Sequence, residues 1–147
     1  NFNVFKDNIK MSITSGSNKK NYSFSREKNL ILAIINNPIL LKQIDEEFSK
    51  VPFENNELNK IRSSLIDKFV GLGDINESDI ENWFKDDNIS ILVEECFGDK
   101  DFKTNKLIPP YALKNSDLNF VIKGWREAAN LQSLWYKKQR IKKYSKK

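Results

Sequence analysis

Apolar residues fill almost every side of one segment near the start of the chain. Between Asn29 and Asn36 the sequence reads NLILAIIN, so a helix here has almost no polar face. A helix that is apolar nearly all round belongs in a core. Asn36 and Asn37 are expected to end it, and Pro38 is expected to open a second helix in its first turn. We predict that the other helices pack around this segment.

Apolar residues at helical spacing predict four more helices before residue 98. Typical N-cap residues precede two of them, at Asn55 or Asn56 and at Asn76, and glycines at 71, 73 and 98 are typical of helix ends. The apolar rows are Leu41, Ile44 and Phe48; Leu58, Ile61, Leu65 and Phe69, with Ile66 beside them; Ile80, Trp83 and Phe84; and Ile89, Val93, Cys96 and Phe97. The predicted fold is all-α, a small bundle of about five to six helices followed by a long C-terminal helix.

The last predicted helix is longer than the others. Ser116 is expected to cap it, and no proline interrupts the sequence before about Lys143. One apolar row holds Leu118, Val121, Trp125, Ala128 and Trp135, and a neighbouring row holds Phe120, Leu131, Leu134 and Ile141. A helix of this extent is about 40 Å long at 1.5 Å per residue. We therefore expect its first half to pack on the bundle and its second half to project.

The pattern divides the chain into three parts. Residues 1–24 are predicted to be a flexible arm or linker, 25–114 a helical bundle, and 115–147 the long helix with a basic tail. The segment from Phe102 to Lys114, with Pro109 and Pro110, is expected to cross the bundle. The chain begins with Asn, which suggests a fragment of a longer protein. No apolar run reaches transmembrane length and no secretory signal is visible, so we expect a cytoplasmic protein without a membrane partner.

The residue types exclude several kinds of chemistry. The chain has no His and one Cys, Cys96, which rules out His-based triads, Cys/His zinc sites and an intrachain disulfide. The acidic pairs Asp86-Asp87 and Asp99/Asp101 fall in predicted loops, where solvated carboxylates are the better interpretation. We predict no catalytic residue, no metal site and no cofactor, with Cys96 as an inert buried thiol.

Positive charge is concentrated at the C-terminal end. Seven of the 25 basic residues, and none of the 20 acidic ones, follow Ala128, which leaves 18 basic residues in the rest of the chain. Basic residues interleaved with Trp135, Tyr136 and Tyr144 are typical of surfaces that bind single-stranded nucleic acid. The mildly acidic body would repel phosphates, so we expect any nucleic-acid binding to be weak.

Several of these features together resemble the C-terminal helicase-binding domain of bacterial DNA primase (DnaG). The features are the Arg26-Glu27 pair, the apolar helix, the Asn37-Pro38 corner, the second helix with Phe53 after it, the third amphipathic helix, and the segment Gly124-Trp125-Arg126-Glu127-Ala128-Ala129. The resemblance covers roughly Ser25 to Lys143. It implies a helical bundle from Arg26 to Phe97 and a helicase-contacting element from Ser116 onward. It also implies that this fragment is not an enzyme, although its parent would be a primase, a DNA-directed RNA polymerase.

The resemblance implies one main partner, the hexameric replicative helicase of the DnaB type, in the primosome of DNA replication. Because aromatic residues and Arg often anchor interfaces, the predicted contacts are Trp125, Leu131, Leu134, Trp135, Tyr136, Lys138, Arg140 and Ile141. The fragment itself is expected to be a monomer. Two alternatives stay open: the N-terminal collar domain of a replicative helicase, and a nucleic-acid-binding helical domain that uses the basic tail.

Overall fold

The structure, a computed structural model, describes residues 18–69, 75–97 and 108–145. Every regular element in these residues is helical, which confirms the predicted all-α class. The elements are α1 (Asn18–Asn36), α2 (Leu40–Lys50), α3 (Asn56–Phe69), α4 (Glu77–Phe84), α5 (Asp87–Phe97), a 3₁₀ turn (Pro110–Ala112) and α6 (Leu118–Ser145). The predicted bundle with a long last helix is therefore confirmed.

Helix α1 lies at the centre of the bundle. Its residues from Leu30 to Ile35 are at most 3% exposed, and the helix packs against α2, α3, α6 and the 3₁₀ turn. This position follows from the sequence, because neighbours on every side are needed to cover a helix that is apolar all round. Three α-helices and the 3₁₀ turn thus share a core with α1.

Helix α1 begins earlier than its apolar pattern indicates. Residues 18–24, assigned by the sequence prediction to a flexible arm, form the first turns of α1. Ser23 gives the physical reason, because it is buried and hydrogen-bonded to side chains of both α1 and α6. Contacts with a distant helix stabilise this polar part of α1, and local hydropathy contains no sign of them. The rest of the predicted arm, residues 1–17, lies outside the described residues.

The corner between α1 and α2 is held by two asparagines. Asn37 Nδ2 donates to the carbonyls of Ala33 (3.1 Å) and Leu113 (3.0 Å), and its Oδ1 accepts from the backbone N–H of Asn115 (3.0 Å). Asn36 Nδ2 donates to the Ala112 carbonyl (2.8 Å). The two asparagines therefore end α1, as predicted, and also bind the segment that leads into α6. Helix α2 begins at Leu40, so Pro38 lies in the turn before it rather than in its first turn.

The remaining short helices begin at polar residues. Asn55 Oδ1 accepts from the N–H of Leu58 (2.9 Å) at the start of α3. Asn76 and Asp79 form a reciprocal capping box at α4, with both bonds at 3.0 Å. Asp86 precedes α5 and accepts from the N–H of Asn88 (3.0 Å), so this carboxylate helps to start a helix. The predictions for the glycines at 71, 73 and 98, for Asp99 and Asp101, and for residues 102–107 lie outside the described residues.

The 3₁₀ turn packs closely against α6. Tyr111 is partly buried, and a Cβ atom added to Gly124 would lie 2.5 Å from the Tyr111 Cβ atom. No side chain fits in that space, so glycine is required in the middle of α6 despite its cost of roughly 1 kcal/mol to a helix. Ile108 and Tyr111 pack against the core, which agrees with the expectation that the segment before α6 crosses the bundle, and Ala112 is buried beside them.

Helix α6 is capped one residue later than predicted. Asp117 Oδ1 accepts from the N–H of Phe120 (3.2 Å), whereas Ser116 is exposed in the preceding bend. An aspartate at the N-cap also places negative charge at the positive end of the helix dipole. The helix then continues to Ser145, two residues beyond the predicted end. None of the described helices is both long enough and apolar enough to cross a membrane.

Candidate protein-binding surface

The inner face of α6 is part of the core. Trp125 is completely buried, its Nε1 donates to the Leu30 carbonyl (3.0 Å), and its ring meets the Phe48 ring edge-on at 6.2 Å. Val121 and Ala128 are buried on the same face. The prediction that Trp125 contacts a partner is therefore wrong. The apolar row that contains Trp125 covers α1. A side chain without exposed surface cannot contact another protein.

Gln132 fixes α6 to the bundle one turn beyond the last buried alanine. It is fully buried, and its Nε2 donates to Ser23 Oγ (2.9 Å) and to the Pro52 carbonyl (3.1 Å). Its Oε1 accepts from Arg26 Nε (3.0 Å). A buried amide with three partners on two segments, α1 and the segment between α2 and α3, orients α6 more specifically than apolar packing alone. Gln132 was not predicted as a functional or structural residue, because its only local sign is a position on the same face as Trp125.

Glu27 belongs to the same hydrogen-bond network as Gln132, because both side chains bond to Ser23. It is 1% exposed, its Oε2 accepts from Ser23 Oγ (2.9 Å), and its Oε1 accepts from the N–H of Asn55 (3.1 Å). Burial raises the pKa of the Glu27 carboxyl above its usual value, while these hydrogen bonds oppose the rise. Glu27 thus joins α1 to the start of α3, and its place in the Arg26-Glu27 pair is structural.

The outer face of α6 presents apolar side chains to solvent. We call Phe120, Leu131, Leu134 and Ile141 the outer row; they are 44%, 56%, 56% and 63% exposed. Leu134 follows Trp125 by about two and a half turns, which places the two on opposite sides of the helix. α6 therefore has two apolar faces, one covered by its own bundle and one uncovered. Apolar rows of this kind are typical of surfaces that bind another protein.

The other predicted contact residues differ in their exposure. Lys138 and Arg140 are exposed, whereas Trp135 and Tyr136 are partly buried. Among the described side chains of α6, Gln132 is the last that is fully buried, and those from Arg140 to Lys142 are all exposed. The expectation that α6 first packs and then projects therefore agrees with its burial. The exposed side chains at Lys137, Lys138, Arg140 and Lys142 differ in direction by roughly 100° per residue, so they surround the helix instead of forming one basic stripe.

The chemistry of the described residues is limited. Among residues 18–69, 75–97 and 108–145, no three His, Cys, Asp or Glu side chains are grouped to hold a metal ion. Cys96 is buried, which confirms that part of its prediction, and burial raises the pKa of its thiol to about 11. A thiol that stays protonated at neutral pH is a poor nucleophile. The outer row is thus the feature of the described structure best suited to a function.

Comparison with known proteins gives no family assignment. No family model, no curated protein and no solved structure matches this chain.

Proposed function

We propose that this chain is the helicase-interaction module of a bacterial DNA primase. In this proposal it docks the primase onto the N-terminal domains of the hexameric replicative helicase during primer synthesis, in the cytoplasm. The resemblance of the sequence motifs to the primase C-terminal domain suggests the family. The all-helical bundle with its long last helix is compatible with that architecture.

The outer row is the single observation that carries the proposal. Four large apolar side chains stand uncovered along one face of α6, and Lys138 lies among them. Burial of such side chains contributes about 25 cal/mol for each Å² removed from water, which makes them suitable anchors for a partner. The surrounding cations favour an acidic surface on that partner and would speed the encounter.

The same geometry gives less support to nucleic-acid binding. A strand of nucleic acid follows a groove or stripe of positive charge, with bases stacked on exposed aromatic rings. Here the described cations surround the helix, and both Trp135 and Tyr136 are partly buried. Binding through the apolar outer row therefore remains the better-supported function.

Point variants test the proposal better than truncation does. Removing α6 would also remove Trp125 and Gln132 from the core, so a loss of binding would report only a loss of folding. The informative variants are Leu134→Glu and Ile141→Glu in the full 147-residue chain. Ile39→Glu and Ile91→Glu are matched controls, because these isoleucines are similarly exposed, at 52% and 55%, on other surfaces.

The measurement is calorimetric titration with the isolated N-terminal region of the replicative helicase. We expect each outer-row variant to weaken binding by at least about tenfold, equivalent to 1.4 kcal/mol, and each control by less than about twofold. Equal effects of the two sets would refute the outer row as the docking surface. Absence of binding by the unaltered chain would refute the proposed function itself.

A further inference from the structure

The outer face of α6 contains a heptad pattern that extends beyond its apolar residues. Spacings of four and three residues alternate through Glu127, Leu131, Leu134, Lys138 and Ile141, and Phe120 precedes Glu127 by one heptad. This alternation is typical of the seam of a coiled coil, where a helix meets a second helix along its length. The buried residues Val121, Trp125 and Gln132 lie between these positions in sequence and face the bundle. α6 therefore has a possible helix-pairing seam in addition to its core face.

The centre of this seam is complementary to itself when two helices run antiparallel. A two-fold axis halfway between Leu131 and Leu134 places Leu131 opposite Leu134 of a second copy. It also places Leu134 opposite Leu131 of that copy. The same axis places Glu127 opposite Lys138 of the second copy. One rotation thus satisfies the apolar layers and the charged layers together, which is the condition for an isologous interface.

We propose that two copies of this chain associate through the outer faces of α6, as an antiparallel pair of helices with four leucines at its centre. Two reciprocal Glu127–Lys138 ion pairs flank the leucines. A parallel pair would instead place Glu127 against Glu127 and Lys138 against Lys138, so like charges oppose it. Glu127, Leu131, Leu134 and Lys138 are all exposed, which leaves them available to a second copy.

The size of the seam makes this association weak and reversible. The segment from Glu127 to Lys138 spans about 16 Å of helix at 1.5 Å per residue, well below the extent of a stable dimer interface. The pairing uses the face that we propose for the helicase, so the two partners compete for it. It does not require the helicase, however, and either proposal can fail without the other.

Sedimentation equilibrium of the full chain over a range of concentrations tests the pairing. We expect a reversible monomer–dimer equilibrium. Glu127→Lys and Lys138→Glu each place like charges opposite one another in both flanking layers and should weaken association by about tenfold or more. The double variant E127K/K138E restores opposite charges and should restore association to within about threefold of the unaltered chain. This rescue distinguishes the antiparallel pair from any contact that merely includes these residues.

Matched controls separate the seam from net charge and from folding. Arg140→Glu changes the net charge by the same amount as Lys138→Glu but lies off the seam, so it should leave association within about twofold. Circular dichroism verifies that every variant keeps its helix content. A chain that remains monomeric at concentrations up to on the order of 1 mM overturns the proposal. If the double variant does not restore association, the antiparallel register is overturned. Helicase titration, measured separately, decides the proposed function in either case.

Discussion

The inner and outer faces of α6 contain similar apolar residues in opposite surroundings. On the inner face, Trp125 and Gln132 are fully buried, and their polar atoms bond to α1 and to the segment between α2 and α3. On the outer face, Leu131 and Leu134 are more than half exposed between Glu127 and Lys138. Hydropathy alone therefore does not identify a core face. Polar groups with buried partners distinguish the face that folds the protein from the face that its own bundle leaves uncovered.

The largest expected difference between the faces is in stability. Trp125→Ala should lower the free energy of unfolding by about 3–5 kcal/mol, because it leaves a cavity beside Phe48 and removes the indole donor to Leu30. Leu134→Ala, on the outer face, is the matched truncation. Urea unfolding followed by circular dichroism measures both. A Trp125 effect no larger than that of Leu134 would contradict the assignment of Trp125 to the core.

A moderate effect is expected from the buried amide. Gln132→Ala should cost about 1–3 kcal/mol, because it removes the partner of Arg26 Nε and of the Pro52 carbonyl, and one of the two partners of Ser23 Oγ. Asn130→Ala, at an exposed position two residues earlier, is the control and should change stability by less than about 0.5 kcal/mol. The same urea titration measures both variants. Equal costs would mean that Gln132 does not orient α6.

The buried carboxyl of Glu27 should also make the stability of the protein depend on pH. The pKa of Glu27 is raised in the folded protein, so the folded state binds more protons than the unfolded state between the ordinary and the raised pKa. The free energy of unfolding contributed by Glu27 therefore falls as the pH rises through that interval. Glu27→Gln removes this pH-dependent contribution to the free energy of unfolding.

Unfolding of Glu27→Gln and the unaltered chain across the acidic to neutral range measures this term. The stability of the variant relative to the unaltered chain should increase as the pH rises. Glu94→Gln, at an exposed position in α5, is the control for the loss of one carboxylate. A relative stability of Glu27→Gln that decreases with rising pH would contradict the direction of the pKa shift.

The smallest effects on stability are expected on the outer face. Leu131→Ala and Ile141→Ala should each change the free energy of unfolding by less than about 0.5 kcal/mol, since both side chains are more than half exposed. Thermal unfolding measures the change. A loss above about 2 kcal/mol for either variant would place that residue in the core and leave the outer row without a binding role.

Most of the fold was predictable because its apolar rows follow helical spacing. The rows in α2 and α3, led by Leu41 and Leu58, are buried as expected, and asparagines begin α3 and α4. The start of α1 and the cap of α6 were not predicted correctly. Ser23 is helical because of a bond to Gln132, which lies 109 residues away in sequence. Ser116 and Asp117 are both good N-caps, and only the geometry of the preceding turn selects Asp117.

The candidate surface was predictable in part. Five of the eight predicted contact residues are exposed: Leu131, Leu134, Lys138, Arg140 and Ile141. Trp125 was assigned to the surface because aromatic residues are frequent both at interfaces and in cores. Its location in the core depends on the position of α1 in space, which one helix considered alone cannot define. The register proposed for a second copy depends on which face of α6 is buried, and the sequence of the helix alone does not show this.

The contact between Trp125 and Leu30 has a consequence for the chain while it is being synthesised on the ribosome. The two residues are separated by 95 positions, so α1 leaves the exit tunnel long before the helix that covers it has been synthesised. During that interval a very apolar helix lacks its cover and is a target for chaperones and a site of aggregation. Nascent chains halted before residue 125 should therefore be retained by chaperones, and those in which residue 132 has emerged from the tunnel should be released.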